Sequence, residues 1–183
     1  GGTGARIVAA QGEVSVLRHD AWTPICSLPL RLGTTLETIP PPLDLASDAG
    51  GPGVGLMLRG RPKHPRDLYR QLSDEARARL AALPGAVSLH PEDTGATTFR
   101  QTADLIAGLG LVITVDTSVA HLAGSMGKPT WLMLPWLGCD WRWLRDRADS
   151  PWYRSMRLFR QPAPGDWAGV VDDIVRAFEA RGI

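Results

Sequence analysis

Residues 111–134 read LVITVDTSVAHLAGSMGKPTWLML, and the alternation of patterns within them determines the fold class. Residues 111–115 are apolar except for Thr114, and residues 130–134 form a second apolar run of strand length. Between the two runs, residues 118–126 predict a helix. Strands that are apolar almost throughout and are joined by a helix are typical of a parallel sheet covered on both faces.

The same alternation continues on both sides of this stretch. Three more short apolar runs predict strands at residues 54–58, 86–89 and 156–159. A further helix is predicted from Ser73 to Leu83, with Ser73 or Asp74 as its cap, and another from Asp166, as its cap, to Arg181. The spacing of apolar residues predicts a helix from Thr98 to Leu109. We therefore predict an α/β domain with a Rossmann-like parallel sheet and helices on both faces.

The first 53 residues have a different character. Their short apolar pieces at residues 6–10, 14–17 and 22–28 predict strands or short helices, too few to bury a core of their own. Three consecutive prolines at residues 40–42 and a glycine-rich run at residues 49–53 are typical of a linker. We interpret residues 1–45 as a remnant of another domain, residues 46–53 as a linker and residues 54–183 as the Rossmann-like domain.

Composition excludes several classes of function. The formal net charge is +1, so the chain offers no general field for nucleic acid or for an anionic membrane. No apolar run approaches the roughly 20 residues that cross a bilayer, and residues 1–5 lack the regions of a signal peptide. The two cysteines have no partner at metal-ligand spacing. We expect a cytoplasmic protein with no membrane span, no nucleic-acid partner, no metal site and no cofactor.

The segment after the third strand carries the best candidate site. Ligands of open parallel sheets bind at the carboxyl ends of the strands, and a helix N-terminus is a ready site for a diphosphate. Thr117 and Ser118 add hydroxyl donors, and Asp116 is suited to accepting hydrogen bonds from sugar hydroxyls. His121 follows one helical turn later. Alternatively, Asp116 only caps the helix and His121 is packed or solvated.

This region resembles the heptosyltransferase-like glycosyltransferases of family 9, and most closely the bacterial members associated with tetratricopeptide repeats. The resemblance runs from residues 103–107 through Asp-Thr-Ser-x-x-His-Leu-Ala at residues 116–123 to Gly-Lys-Pro at residues 127–129. Residues 140–144, 150–153 and 156–161 also resemble that subgroup, as do residues 26–29 and 32–36.

The resemblance implies the C-terminal, donor-binding half of a GT-B glycosyltransferase that uses a nucleotide-diphosphate sugar for hexosyl or heptosyl transfer. It implies that Asp116, Thr117, Ser118 and His121 hold the donor. It also places the catalytic base and most of the acceptor-side domain outside these residues, so the isolated chain is expected to be inactive or weak. The implied partners are a nucleotide sugar and a protein or glycan acceptor. A partial acceptor-side domain would leave apolar surface uncovered, so a second copy of the chain or the missing domain is a further expected partner.

The segment after the first strand departs from the family pattern. It keeps Gly60 and His64 of that pattern but has Pro65 where a phosphate-binding cation is expected. Lys63 or Arg66, each one residue away, is the expected substitute, and the alternative is that both are solvated loop charges.

Six of the seven tryptophans lie between residues 131 and 167. We expect Trp136 and Arg142 to contact the base or the sugar, and Trp143, Trp152 and Trp167 to pack the loop onto the sheet. The full set of predicted donor-binding residues is Asp116, Thr117, Ser118, His121, Gly60, Lys63, His64, Arg66, Trp136 and Arg142.

Two other functions stay open at this point. One is a non-catalytic module that binds a nucleotide sugar or another protein, and the other is a nucleotide-sugar epimerase. The epimerase would need acid/base carboxylates near the sugar, and Asp116 is the one convincing candidate in the sequence.

Overall fold

The computed structural model describes residues 15, 18–42, 45, 50–60 and 67–181. The chain divides into two compact units, Gly1–Thr38 and Ile39–Ile183. In the first unit a 3-10 turn, Ile25–Ser27, continues into helix α1, Leu28–Arg31. The apolar run at residues 22–28 therefore ends in helical turns, whereas the runs predicted at residues 6–10 and 14–17 lie outside the described residues, apart from Ser15. The domain boundaries predicted from the sequence stay predictions.

The second unit contains a sheet of five parallel strands. They are β1 (Gly53–Met57), β2 (Ala86–Ser88), β3 (Leu109–Val115), β4 (Thr130–Leu134) and β5 (Met156–Arg160), in the spatial order β2-β1-β3-β4-β5. Ile113 in the central strand pairs with Leu56 of β1 and Trp131 of β4. The predicted Rossmann-like α/β class is confirmed.

Five helices accompany the sheet, namely α2 (Asp74–Ala81), α3 (Pro91–Thr94), α4 (Phe99–Ala107), α5 (Ser118–Ser125) and α6 (Trp167–Glu179). Their starts follow the predicted caps: Ser73 accepts a hydrogen bond from Ala76 N, and Asp166 accepts one from Gly169 N. Thr98 and Gln101 form a reciprocal capping box. The single turn α3 was not predicted.

Apolar side chains cover both faces of the sheet. On one face, Leu80 of α2 and Ile174 of α6 are buried against strand residues that include Ile113. On the other face, Ile106 of α4 and Val119 of α5 pack against Val112. A third cluster joins Leu132 and Leu134 of β4 to Trp143 in the loop that follows. Burial on both faces explains why the strands are apolar at nearly every position.

The strand order places a topological switch between β1 and β3. From β1 the chain moves outward to β2, then returns to β3 on the other side of β1 and continues to β5. In open α/β sheets the crevice at such a point, beyond the carboxyl ends of the strands, is the usual ligand site. Residues that follow β1 and β3 are therefore the ones that the fold brings together for binding.

Lys128 lies at the opposite edge of the sheet and has a structural role. Its Nζ donates to the carbonyl oxygens of Ala107, at the end of α4, and of Leu109, at 2.7 and 3.3 Å. Its side chain is buried, and burial lowers its pKa. The Gly-Lys-Pro sequence at residues 127–129 thus closes the end of a helix far from the carboxyl ends of the strands.

Candidate functional site

The N-terminus of α5 opens directly onto the carboxyl end of β3. Thr117 is the N-cap residue, with extended backbone angles, but its side chain makes no capping hydrogen bond. Its Oγ1 lies instead 3.3 Å from Oγ1 of Thr114. The first-turn N–H groups of this eight-residue helix are therefore not satisfied by the side chain of their own cap residue, and the exposed Ser118 lies beside them.

Asp116 links this helix start to two other segments. The Arg70 guanidinium donates through Nη1 to the Asp116 carbonyl oxygen and through Nε to Asp67 Oδ1, the latter at 3.0 Å. The carboxylate Oδ2 of Asp116 accepts from the backbone N–H of Asp140 at 3.5 Å. The side chain of Asp116 thus contacts the loop after β4. Its main-chain carbonyl oxygen is bonded to Arg70, in the segment after β1.

Gly60 lies buried at the carboxyl end of β1, against Arg70. A Cβ atom at this position would overlap the Arg70 guanidinium, which gives a packing reason for the glycine. Direct contact between Gly60 and a donor stays a prediction. Lys63, His64 and Arg66, the other predicted residues of this segment, lie outside the described residues.

Arg59 begins the same segment and is engaged by acidic side chains. Its Nη2 lies 3.2 Å from Asp93 Oδ1, 3.4 Å from Glu92 Oε2 and 3.1 Å from His90 Nδ1. The hydrogen bond from the Ser88 hydroxyl, with Arg59 beside it, lowers the pKa of Asp93. Helix α3 therefore supplies Arg59 with counterions.

His121 is held by two aromatic side chains. Its ring is stacked on Trp143 with a centroid distance of 5.0 Å and an interplanar angle of 23°, and its Nδ1 lies 3.0 Å from Tyr153 Oη. Burial lowers the pKa of His121, with Asp116 and Asp140 opposing and Arg142 reinforcing the shift. The imidazole is therefore neutral at neutral pH. Sequence reasoning did not identify Tyr153 as a site residue, because no local pattern connects it to a helix 32 positions earlier.

The loop after β4 lines a cavity of about 480 Å³, and Asp140, which contacts Asp116, is one of its lining residues. Trp136, which is 48% exposed, lines the cavity. Arg142 donates from Nη1 to both carboxylate oxygens of Asp140, at 2.9 and 3.0 Å, and its guanidinium lies over the Trp141 ring at 4.7 Å. Trp143 and Trp167 are buried, as predicted for packing residues, and Trp152 is half-buried.

Two residues that line this cavity have strained backbones. Leu144 and Asp146 have φ angles of 50° and 58°, the only positive values at non-glycine residues in the described part of the chain. Such conformations persist where surrounding structure imposes them, and they cluster at binding sites. In this loop the carbonyl oxygens of Trp143 and Leu144 accept from Arg160 Nη2, at 3.3 and 2.7 Å, which helps to hold the backbone.

Within the described ranges, no group of three or more His, Cys, Asp and Glu side chains is arranged to hold a metal ion. None of the helices in that part of the chain combines the length and apolar character that a membrane span requires.

Residues 69–131 match the model of glycosyltransferase family 9 (heptosyltransferase). The match begins within the 3-10 turn Asp67–Arg70 and ends in β4, so it contains Asp116, Thr117, Ser118 and His121. No curated protein and no solved structure matches the chain. The match covers about a third of the chain and supports a glycosyltransferase function and the resemblance to this family.

Proposed function

We propose that this chain is the donor-binding part of a family 9 glycosyltransferase and that it binds a nucleotide-diphosphate sugar in the crevice between β1 and β3. One observation carries the proposal. The N-terminus of α5, without a side-chain cap from Thr117, opens at the switch point of the sheet and lies within the segment that matches the family.

The diphosphate is assigned to this helix start. The N–H groups of the first turn and the positive end of the helix dipole favour an anion there. The hydroxyls of Thr117 and Ser118 can donate to phosphate oxygens, and Lys63 or Arg66 would add positive charge from the segment after β1. As the glycosidic bond to the diphosphate breaks, negative charge develops on the leaving oxygen, and these groups would stabilise it.

Asp116 is assigned to the donor sugar. A carboxylate repels phosphate but accepts hydrogen bonds from sugar hydroxyls. Its contacts with Arg70 and Asp140 fix its main chain and its side chain from two sides, so the acceptor oxygens are held in place before a ligand binds. The cavity beside Trp136 is assigned to the sugar or the base, because an exposed indole face can stack on either. The base that activates the acceptor is assigned to the acceptor-side domain.

Thermal stability measured against nucleotides tests the proposal. The chain is melted with ADP, UDP, GDP and CDP and with their common sugar conjugates. At about 100 times Kd, a ligand of the native state adds roughly 2.7 kcal/mol to the free energy of unfolding and raises Tm. We expect a rise that is selective for one base and is lost in Asp116→Ala and in Thr117→Val.

Asp104→Ala is the matched control. Asp104 is exposed on α4 and pairs with Arg100, so its loss removes a carboxylate without touching the crevice. The control should keep the full rise in Tm. A chain that no nucleotide or nucleotide sugar stabilises would overturn the proposal in favour of a protein-interaction module. Stabilisation that survives Asp116→Ala and Thr117→Val would place the ligand elsewhere.

A further inference from the structure

The residues around His121 restrict the orientation of its imidazole ring. An imidazole side chain has two torsions, and both are restricted here: Trp143 covers one ring face, and Tyr153 holds Nδ1 at 3.0 Å while its own ring meets the imidazole edge-on. Trp143 is itself fully buried, so the surface on which His121 rests belongs to the core. The ring is fixed before any ligand arrives.

Gly124 makes this contact possible. It lies three residues after His121 in α5, so the two positions share one side of the helix. A Cβ atom at Gly124 would lie 2.5 Å from Cγ of Tyr153 and 2.7 Å from Cδ1. Glycine is a poor helix former compared with alanine, so a glycine inside a helix calls for a packing reason. At this site the missing Cβ is the space that Tyr153 occupies.

The hydrogen bond between His121 and Tyr153 has a preferred direction. Burial raises the pKa of Tyr153, so its hydroxyl keeps its proton. A phenol O–H is a stronger hydrogen-bond donor than an imidazole N–H, and a neutral imidazole nitrogen is a stronger acceptor than a phenol oxygen. The neutral His121 ring offers one acceptor nitrogen and one donor nitrogen. Nδ1 is then the acceptor, and the ring proton belongs on Nε2.

We propose that Tyr153 is a positioning residue for His121, and that its hydroxyl donates to Nδ1 and fixes the tautomer that carries the proton on Nε2. Among the described residues none hydrogen bonds to Nε2, so the Nε2–H group is left for a ligand. We assign its partner to an oxygen of the bound nucleotide-sugar donor. This last assignment rests on the proposed function, whereas the tautomer does not.

The tautomer is measured without any ligand. In a two-dimensional spectrum that correlates the ring nitrogens with the ring protons of ¹⁵N-labelled chain, an unprotonated nitrogen resonates far downfield of a protonated one. His121→Gln assigns the His121 signals among the four histidines. We expect His121 to show a protonated Nε2 and an unprotonated Nδ1 in the wild-type chain, and a shift toward a mixture of tautomers in Tyr153→Phe. A proton on Nδ1 in the wild type, or unchanged shifts in Tyr153→Phe, overturns the proposal.

A double-mutant cycle tests the consequence for binding. The probe is the nucleoside diphosphate or conjugate that gives the largest rise in Tm. We expect Tyr153→Phe to weaken its binding about 10-fold, the lower end of the effect when a metal-binding histidine loses its supporting hydrogen bond. In a His121→Gln background the same change should have no further effect, because the amide donor of glutamine has no tautomers.

Thr102→Val is the matched control. Thr102 lies on α4 and its hydroxyl donates to the Thr98 carbonyl oxygen at 3.2 Å, so its variant removes a hydroxyl away from His121 and from the cavity. Equal losses from Tyr153→Phe in both backgrounds would show a packing role and overturn the positioning role. If no nucleotide binds, the proposed function fails, while the spectrum still decides the tautomer.

Discussion

Arg70 donates a hydrogen bond to the main-chain carbonyl oxygen of Asp116, the first residue beyond the central strand. The same guanidinium pairs with Asp67 at 3.0 Å, and both of these side chains are largely removed from solvent, with exposed fractions of 12% and 7%. One arginine therefore ties the segment after β1 to the start of the candidate site. Its contacts span the switch point at which the crevice opens.

Replacing Arg70 should be costly. Arg70→Met leaves Asp67 as a buried carboxylate without its charged partner, although Gln71 still donates to it at 3.1 Å. We expect the free energy of unfolding to fall by about 3 kcal/mol or more, the usual result of breaking a buried pair. Urea denaturation measures the change. Arg100→Met, which removes the exposed pair with Asp104, should cost less than about 1 kcal/mol. Similar losses in the two variants would show that Asp67 does not depend on Arg70.

Gly124→Ala tests the close approach of α5 to Tyr153. Helix propensity alone favours alanine by about 1 kcal/mol, but the added Cβ would lie 2.5 Å from the Tyr153 ring. We expect a net loss of about 1–2 kcal/mol in urea denaturation, as in other overpacked sites. Gly108→Ala is the control, because its Cβ would meet only the Leu105 carbonyl oxygen, at 3.8 Å. In a Tyr153→Leu background the cost of Gly124→Ala should shrink. A stabilising Gly124→Ala would contradict the contact.

The tryptophans after β3 divide into packing and candidate binding residues. Trp131 is 6% exposed in the core, and Trp131→Ala should lower the free energy of unfolding by about 3–5 kcal/mol. Trp136→Ala should lower it by clearly less, since about half of the Trp136 side chain is already exposed in the native state. If Trp136 stacks on the donor, the second variant should weaken nucleotide-sugar binding about 10-fold, measured by calorimetry. Unchanged affinity would remove Trp136 from the site.

Much of the fold could be predicted because strand and helix patterns are local. The run Thr130–Leu134 forms β4 with the predicted bounds, and Ser73, Thr98 and Asp166 cap the helices predicted to start there. The single turn α3 was not predicted, because four residues are too few to show a helical period. The strand order was not predicted either, since pairing depends on contacts between distant segments.

The candidate site could be predicted only in part, for the same reason. Asp116, Thr117, Ser118 and His121 stand together in the sequence, so a single motif predicts them as a group. The residues that hold this motif in place are distant in the sequence. Arg70 is 46 positions from Asp116, and Tyr153 is 32 positions from His121. One signal of the contact with Tyr153 was available in the sequence. A glycine inside a predicted helix, such as Gly124, indicates that another segment packs closely against the helix, but it does not identify that segment.

The lowered pKa of His121 makes the stability of the fold depend on pH. Burial disfavours the imidazolium in the native state, and Arg142 acts in the same direction, whereas Asp116 and Asp140 act against it. The unfolded chain therefore takes up a proton at its ordinary pKa near 6.5, before the native state does. Between these two pKa values the unfolded state holds more protons, so the contribution is complete above about pH 6.5 and is lost as the pH falls. We expect the free energy of unfolding to decline as the pH falls from about 6.5 to about 5.5, and His121→Gln to show a shallower decline. Urea denaturation across this range measures both slopes, and an NMR titration of the native chain locates the pKa of His121 directly. Equal slopes in the two chains, together with an imidazole that titrates at or above its ordinary pKa, would show that His121 is not held neutral by burial.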